Sequence, residues 1–144
     1  MISPAAVVAE ALTWDRTPYH HQASARGVGC DCLGLVRGVW RGLYGDEPEQ
    51  PPRYSPDWAE ATGEETLAAA ARRWLIAIPR DQVAAGDVVL FRMIANGPAK
   101  HCAILIDDGR MIHATNGDGV RLETYSRPWR TRTAFAFRFP PLKG

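Results

Sequence analysis

The sequence has few cysteines, no excess of charge of either sign and no long hydrophobic run. Its three cysteines are Cys30, Cys32 and Cys102, and an odd number cannot all pair within one chain. Cys30 and Cys32 are also too close in sequence for an easy bridge, because a disulfide requires a defined separation of its two residues. We therefore expect reduced thiols, which indicate synthesis in a reducing compartment.

The balance of charge argues against a nucleic-acid partner. The chain has 17 Lys and Arg against 16 Asp and Glu, so it presents no strong basic field to attract phosphates. The basic residues are dispersed along the chain. The nearest approach to a cluster consists of Arg127, Arg130, Arg132 and Arg138. We interpret these four arginines as solvated strand and turn positions.

The sequence shows no pattern for membrane insertion or export. No stretch approaches the roughly 20 apolar residues that a membrane span requires. The chain has no basic start, and the short apolar run near its beginning is broken by Glu10, unlike a secretory signal. We therefore expect no membrane partner and no export signal.

The length of 144 residues predicts a single domain over 1–144. A chain of this size buries roughly 70% of the surface that its unfolded form exposes. A core can therefore form without disulfides or metals.

Helical patterns come first along the chain and strand patterns follow. We predict helices over 3–14, 31–44 and about 57–75, joined by a loop over 15–29 and a proline-rich connector over 46–56. Short apolar runs between turn residues predict strands over 88–91, 101–106, 110–115, 119–124 and 132–139. This order indicates an α+β fold with an antiparallel sheet rather than a βαβ series.

Cys32 is the thiol whose position favours chemistry. Asp31 suits the N-cap of the second helix and Gly45 suits its end, so Cys32 falls in the first turn. A helix N-terminus lowers the pKa of a thiol from its usual value near ~8.5, because unpaired N–H groups and the helix dipole favour negative charge. The alternative is that Cys32 is a small buried apolar residue, as most free cysteines are.

A nucleophilic thiol needs a base, and strand geometry favours two of the four histidines. If residues 107–109 form a three-residue hairpin loop, Ala103 pairs with His113. His101 and His113 then lie on one face as diagonal neighbours, roughly 7–8 Å apart. A two-residue loop would put them on opposite faces. The opposite face then carries core residues, namely Cys102, Ile104, Ile106 and Ile112.

The remaining histidines and thiols allow two other interpretations. His20 and His21 lie in the loop before Cys32, where solvated histidines are common. A zinc site fits poorly, because Cys30 and Cys32 are separated by one residue and structural sites usually place roughly two to four residues between paired cysteines. We expect neither a metal nor another cofactor.

Several short motifs resemble the NlpC/P60 cysteine peptidases. Residues 29–36, Gly-Cys-Asp-Cys-Leu-Gly-Leu-Val, resemble the Asp-Cys-Ser-Gly-hydrophobic motif of that family. Thr17-Pro18-Tyr19 resembles the Pro-Tyr step that precedes the cysteine. Leu33 departs from the family serine, and Cys30 adds a second thiol.

The later motifs follow in the order of the family. Residues 85–91 resemble its Pro-Gly-Asp-Leu strand, 100–104 its His-Val-Gly-Ile strand, and 111–114 the strand that carries the third catalytic residue. The matches run from about residue 14 to 139, and the whole sequence resembles the compact phage and gene-transfer-agent branch.

The resemblance implies a fold and a set of roles. It implies a papain-like fold whose cysteine helix packs on an antiparallel sheet of about five or six strands. Cys32 would be the nucleophile, His101 the general base, and His113 the residue that orients His101. Tyr19 would line the site and help to hold the oxyanion, and the backbone N–H of Cys32 is a second candidate donor.

The resemblance also implies a substrate. The family hydrolyses stem peptides of peptidoglycan, often between D-glutamate and a diamino acid. We expect synthesis in the cytoplasm, carriage on a phage-like tail particle with tail proteins as partners, and action in the cell wall or periplasm. The alternatives are a non-catalytic tail or wall-binding component, and a thiol acyltransferase or amidase. Side chains that could bind substrate carboxylates, if they are not simply solvated, are Arg26, Arg92, Lys100 and Arg121.

Overall fold

Helices and strands occupy separate parts of the chain in the computed structural model, which describes residues 2–47 and 65–141. The helices are α1 (Pro4–Leu12), α2 (Cys32–Tyr44), α3 (Thr66–Trp74) and α4 (Arg127–Arg132). The strands are β1 (Ser24–Ala25), β2 (Gly29–Cys30), β3 (Ile76–Ile78), β4 (Val88–Arg92), β5 (Ala99–Leu105), β6 (Arg110–Thr115), β7 (Gly119–Thr124) and β8 (Thr133–Arg138). Among these residues, no helix combines the length and apolar character that a membrane span requires.

A six-stranded sheet forms the centre of the molecule, in the order β3-β8-β4-β5-β6-β7. Every neighbouring pair in it is antiparallel, so the predicted α+β class is confirmed. Because side chains alternate along a strand, β4 contributes to two separate cores. Val88 and Leu90 pack toward α1, α2 and α3, whereas Val89 and Phe91 pack on the opposite face with Trp129 of α4.

Helix α1 begins where the sequence predicted. The Ser3 side chain accepts a hydrogen bond from the Ala6 N–H at 3.1 Å, and Pro4 occupies the first helical position. The helix ends at Leu12 and buries Val7 and Ala11, which gives α2 an apolar surface to pack on.

Helix α2 is pressed closely against its neighbours through two glycines. A Cβ at Gly34 would overlap the carbonyl of Ala23, and a Cβ at Gly38 would overlap the ring of Trp14. Glycine permits this close approach because it has no Cβ. The close packing fixes the position of the helix start, where Cys32 lies.

The structure corrects the interpretation of the arginine-rich segment. Residues 127–132 form α4 rather than solvated strand and turn positions, because a proline in the first turn favours helix initiation there. Arg138 does lie on a strand, but its guanidinium binds the buried carboxylate of Asp87, with both distances at 2.8 Å. Strand β3 was also not predicted.

The described part of the third predicted helix is α3, which begins at Thr66. The predicted start of that helix at 57 and most of the connector over 46–56 lie outside the described residues. The prediction of one domain over 1–144 stays a prediction.

Candidate active site

The start of α2 is held by the buried side chain of Asp31. Its carboxylate accepts hydrogen bonds from the backbone N–H groups of Gly34 and Gln22, both at 2.7 Å. The first bond is the predicted N-cap. Cys32 is the first helical residue, so its own N–H has no acceptor within the helix and is available to a bound anion.

The hairpin of β5 and β6 has the predicted three-residue loop. Ile104 pairs with Ile112 and Leu105 with Met111, and the same register places Ala103 opposite His113. His101 and His113 therefore share a face, with 2.8 Å between His101 Nε2 and His113 Nδ1. The prediction that the two histidines would lie together is confirmed.

A bulge in β5 changes the direction of the strand next to His101. Phe91 of β4 pairs with His101, but Arg92 pairs with Ala99, so Lys100 is an extra residue. In a regular strand, residues on the same face are an even number of positions apart. Because of the bulge, Ala99 and Cys102, which are three positions apart, both belong to the helix-side core, the core between the sheet and helices α1, α2 and α3. The bulge lies directly before His101, at the Lys100 carbonyl that the sulfur of Cys32 approaches.

The thiol of Cys32 lies against β5, where it contacts Cys102 and His101. Its sulfur is 4.0 Å from the carbonyl oxygen of Lys100. Hydrogen bonds from Cys102 and His101, together with the positive charge of His101, lower the pKa of Cys32 well below its ordinary value, against the opposing effects of burial and Asp31. The structure thus joins Cys32 and His101 in an arrangement that favours a thiolate.

Cys102 has a contact that the sequence did not reveal. It belongs to the core, as predicted, but its thiol also donates to the carbonyl oxygen of Cys32 at 3.3 Å. Its hydrogen bond with Cys32 and its burial raise the pKa of Cys102 well above the ordinary value. Of these two thiols, Cys32 is therefore the one that loses its proton more readily.

The second thiol near the helix start, Cys30, is unsuited to attack a substrate. It is fully buried, and its N–H donates to the Pro18 carbonyl at 3.0 Å. Burial, followed by the charges of Asp31 and Cys32, raises the pKa of Cys30 to about 12. Between the two thiols, the geometry favours Cys32.

Tyr19 lies beside the two thiols through a short backbone bridge to Cys30. Its side chain is half-buried against the helix-side core. Burial, followed by the negative charges of Cys32, Asp31 and Cys30, raises the pKa of Tyr19 to about 12. The phenol therefore keeps its proton at neutral pH and can act as a hydrogen-bond donor near Cys32.

The histidine pair continues to an acidic residue that was not predicted. Glu123 Oε1 lies 3.0 Å from His113 Nε2. In the β6–β7 register His113 pairs with Arg121 and Met111 pairs with Glu123, so Glu123 shares the face of His113. Pairing the ends of the predicted strands 110–115 and 119–124, Thr115 with Gly119, would have placed Met111 opposite Glu123 and so revealed this neighbour of His113.

Trp129 covers the histidines from α4, and the sequence analysis missed this role as well. Its ring centroid lies 4.8 Å from that of Phe91, 5.4 Å from that of His113 and 6.0 Å from that of His101. His113 is fully buried beneath it. Burial, followed by the charge of His101, lowers the pKa of His113 to about 4, so this ring is neutral at pH 7.

Among the other candidate side chains, Arg121 binds Glu123, whereas three others have partners outside this group: His20, Arg26 and Arg92. His20 is exposed in its loop, with its Nδ1 3.4 Å from the His21 carbonyl oxygen. Arg26 binds the Thr13 hydroxyl and Arg92 binds Glu65. Within 2–47 and 65–141, no group of three or more His, Cys, Asp or Glu side chains is arranged to hold a metal ion.

The model of the NlpC/P60 family matches residues 16–138 of the chain. The chain belongs to the NlpC/P60 family. The matched segment includes Cys32, His101 and His113, and it begins before the Pro-Tyr step at Tyr19.

Solved NlpC/P60 structures have the same fold. The NlpC/P60 domain of the peptidoglycan hydrolase SagA is 24% identical with a TM-score of 0.68, and the alignment covers 96% of this chain and 100% of that domain. A family protein from Bacillus cereus is 21% identical with a TM-score of 0.69, and the alignment covers 97% of this chain and 41% of that protein. The peptidoglycan hydrolase RipB from Mycobacterium tuberculosis is 18% identical with a TM-score of 0.61, and the alignment covers 94% of this chain and 63% of that protein.

These similarities confirm the predicted papain-like NlpC/P60 fold. The chain spans the whole SagA domain but about two fifths of the Bacillus cereus protein. No curated protein sequence matches the chain.

Proposed function

We propose that this NlpC/P60 chain is a cysteine peptidase that cuts the stem peptides of peptidoglycan. Cys32 is the nucleophile, His101 its general base, and His113 the residue that orients His101. One observation carries the proposal: the thiol at the start of α2 lies against the strand of His101, with 4.0 Å between its sulfur and the Lys100 carbonyl oxygen, and His101 Nε2 lies 2.8 Å from His113 Nδ1. The substrate class is supported by family membership and by the two peptidoglycan hydrolases, SagA and RipB, that share the fold.

The proposed reaction proceeds through an acyl-enzyme. His101 takes the proton of Cys32, and the thiolate attacks the amide carbonyl of the substrate. The Tyr19 hydroxyl and the Cys32 N–H donate to the oxyanion that forms. His101 then protonates the leaving amine, and a water molecule, deprotonated by His101, hydrolyses the thioester.

Mass spectrometry of digested peptidoglycan tests the activity directly. The wild-type protein is expected to release fragments with new free amino groups at one bond of the stem peptide. Cys32→Ala abolishes this release because no other thiol reaches the substrate, whereas the matched variant Cys30→Ala retains it. Wild-type protein that binds the wall and releases nothing would indicate a non-catalytic component. Transfer of the acyl group to an added amine, in place of a new carboxylate, would indicate an acyltransferase.

We further propose delivery to the wall on a phage-like tail particle, with tail proteins as partners. The support is the resemblance of the sequence to the phage and gene-transfer-agent branch. Quantitative mass spectrometry of purified particles should find the chain in fixed proportion to tail proteins, and its absence from the particles would contradict this route.

A further inference from the structure

We propose that Glu123 is a positioning residue that orders both histidines of the site. Its carboxylate holds His113 in one tautomer, and His113 then holds His101 with a lone pair available to Cys32. This inference rests on the proposed function, because it takes His101 to be the base of Cys32.

The carboxylate of Glu123 receives hydrogen bonds from three side chains. Oε1 lies 2.8 Å from Arg121 Nη2 and 3.0 Å from His113 Nε2, and Oε2 lies 2.6 Å from Trp129 Nε1. Guanidinium and indole nitrogens only donate, so both carboxylate oxygens act as acceptors. Burial raises the pKa of Glu123, but the hydrogen bonds from Arg121, Trp129 and His113 outweigh it and hold that pKa at about 2. The group is therefore an anion at neutral pH.

An ionised carboxylate fixes the tautomer of its partner. Because Glu123 can only accept, the proton of His113 must be on Nε2. His113 is neutral at pH 7, since burial lowers its pKa to about 4, and its Nδ1 therefore carries a lone pair. His101 Nε2, at 2.8 Å from that lone pair, must then be the donor between the two rings.

The same logic fixes the nitrogen of His101 that accepts the thiol proton. With a hydrogen on Nε2, neutral His101 has its lone pair on Nδ1. Protonation of Nδ1 by Cys32 leaves the Nε2–H bond to His113 intact. The ordered pair thus accepts and releases the proton without a change in its hydrogen bonds, which is the advantage of a preorganised base.

The surrounding charges and rings hold Glu123 in this geometry. Asp118 lies 3.5 Å from Arg121 (Oδ2 to Nη1), but both side chains are exposed, and an exposed ion pair of this kind contributes little. Trp129 is packed on Phe91 and meets the His113 ring edge-on, at an interplanar angle of 83°. Among the described residues, the charged groups that act on His113 are His101, Glu123 and Arg121.

Glu123→Gln is a sharp test because it preserves shape while replacing one acceptor with a donor. The amide cannot accept at both ends. With its oxygen toward Trp129 its NH₂ faces Arg121 and His113, and with its oxygen toward those two its NH₂ faces the Trp129 donor, so neither orientation holds His113 as firmly as the carboxylate does. The expected results are ¹⁵N NMR shifts of the two His113 nitrogens that move from a single tautomer toward a mixture of both, and a tenfold or larger fall in the alkylation rate of Cys32 by iodoacetamide at pH 7. We expect kcat/KM on wall peptides to fall by about 100-fold, mainly through kcat.

Asp118→Asn is the matched control. It removes one negative charge from the same arginine but no contact to a histidine, and it should leave the His113 tautomer and the alkylation rate unchanged. The wild-type spectrum provides a test that does not depend on any variant folding. It should show His113 protonated on Nε2 and neutral down to about pH 5.

The outcomes separate this proposal from the proposed function. Wild-type His113 protonated on Nδ1 would overturn it, as would Glu123→Gln protein in which the tautomer and the Cys32 alkylation rate stay at wild-type values. If the tautomers and alkylation rates respond as expected but the wild-type protein cuts no wall peptide, the positioning role stands and the proposed function fails.

Discussion

Three thiols lie around the start of α2, and their surroundings shift the pKa of Cys32 in the opposite direction from those of Cys30 and Cys102. Hydrogen bonds from Cys102 and then His101 lower the pKa of Cys32. The hydrogen bond with Cys32 and burial raise the pKa of Cys102, and burial raises that of Cys30. Since only a thiolate attacks an amide effectively, the three residues are not interchangeable despite their proximity. From the sequence, the one feature that distinguished Cys32 from Cys30 was its position in the first turn of a predicted helix.

At the same scale, Tyr19→Phe tests the proposed oxyanion donor. The variant keeps the ring packed on the helix-side core but removes the hydroxyl that would donate to the anion. Loss of one such donor typically lowers kcat by about 100- to 1,000-fold, and we expect KM to change little. Steady-state kinetics on a stem-peptide substrate measures both constants.

Tyr44→Phe is the matched control for that prediction. Tyr44 is also half-buried, and its hydroxyl donates to the Pro140 carbonyl rather than to the site. It should cost some stability and leave kcat unchanged. Equal kcat values for Tyr19→Phe and the wild-type protein would exclude Tyr19 as a donor.

At the scale of elements, the site depends on how tightly α2 packs. Asp31 caps the helix, and Gly38 allows the ring of Trp14 to approach the helix backbone. These contacts hold Cys32 against β5, where His101 directly follows the bulge at Lys100. The site is therefore assembled from a helix start and an irregular strand, with neither sufficient alone.

Gly38→Ala is expected to weaken this packing. The added methyl would overlap the Trp14 ring, a rigid group that cannot move without disturbing the core. Overpacking of this kind typically costs about 1–3 kcal/mol, which exceeds the gain of roughly 1 kcal/mol from replacing glycine within a helix. Urea unfolding followed by circular dichroism measures the change.

Gly42→Ala, in the same helix, serves as the comparison. Its methyl would meet only the flexible carboxylate end of Glu10, and the position is exposed. We expect stability equal to or above that of the wild-type protein. If both variants destabilise equally, close packing on Trp14 is not the reason for glycine at position 38.

At the scale of the whole molecule, the two faces of the sheet contribute different parts of the site. The face covered by α1, α2 and α3 contributes the nucleophile, and the face covered by α4 encloses the histidine pair with aromatic rings. Enclosure keeps His113 neutral, but it also makes the native state sensitive to acid. Folding and the proposed chemistry are thus linked through one buried imidazole.

We expect the free energy of unfolding to fall as the pH decreases from about 6.5 toward 4. In the unfolded chain His113 takes up a proton near its ordinary pKa of 6.5, whereas in the folded protein its pKa is about 4. The unfolded state therefore binds more protons in this window, and acid favours it. Below about 4.5, Glu123, whose folded pKa is about 2, adds a second loss with the same sign.

Chemical denaturation at several pH values measures this slope. His113→Asn should be less stable at pH 7 but should show a shallower decline between pH 6.5 and 4.5. His20→Asn, at an exposed loop position, should keep the wild-type slope. A wild-type slope in His113→Asn would assign the acid sensitivity to other groups.

The sequence by itself determined the local features. Capping residues placed the start of α2 at Cys32, and the alternation of strand side chains placed His101 and His113 on one face. Both follow from rules that act over a few residues, namely the unpaired N–H groups of a helix start and the two-residue period of a strand. The family motifs extended this to the fold. Helix α4 and strand β3 were missed because short elements depend more on their tertiary neighbours than on their own pattern.

Only the tertiary structure decided which side chains meet. The contact between Cys102 and Cys32 joins residues 70 positions apart, and it depends on how α2 docks on β5. Three further features also require the packed sheet and helices. They are the burial of Cys30, the bulge next to His101, and the contacts of Trp129 and Arg121 with Glu123. Protonation follows the same rule, because desolvation and nearby charge are properties of the folded surroundings and not of the residue type.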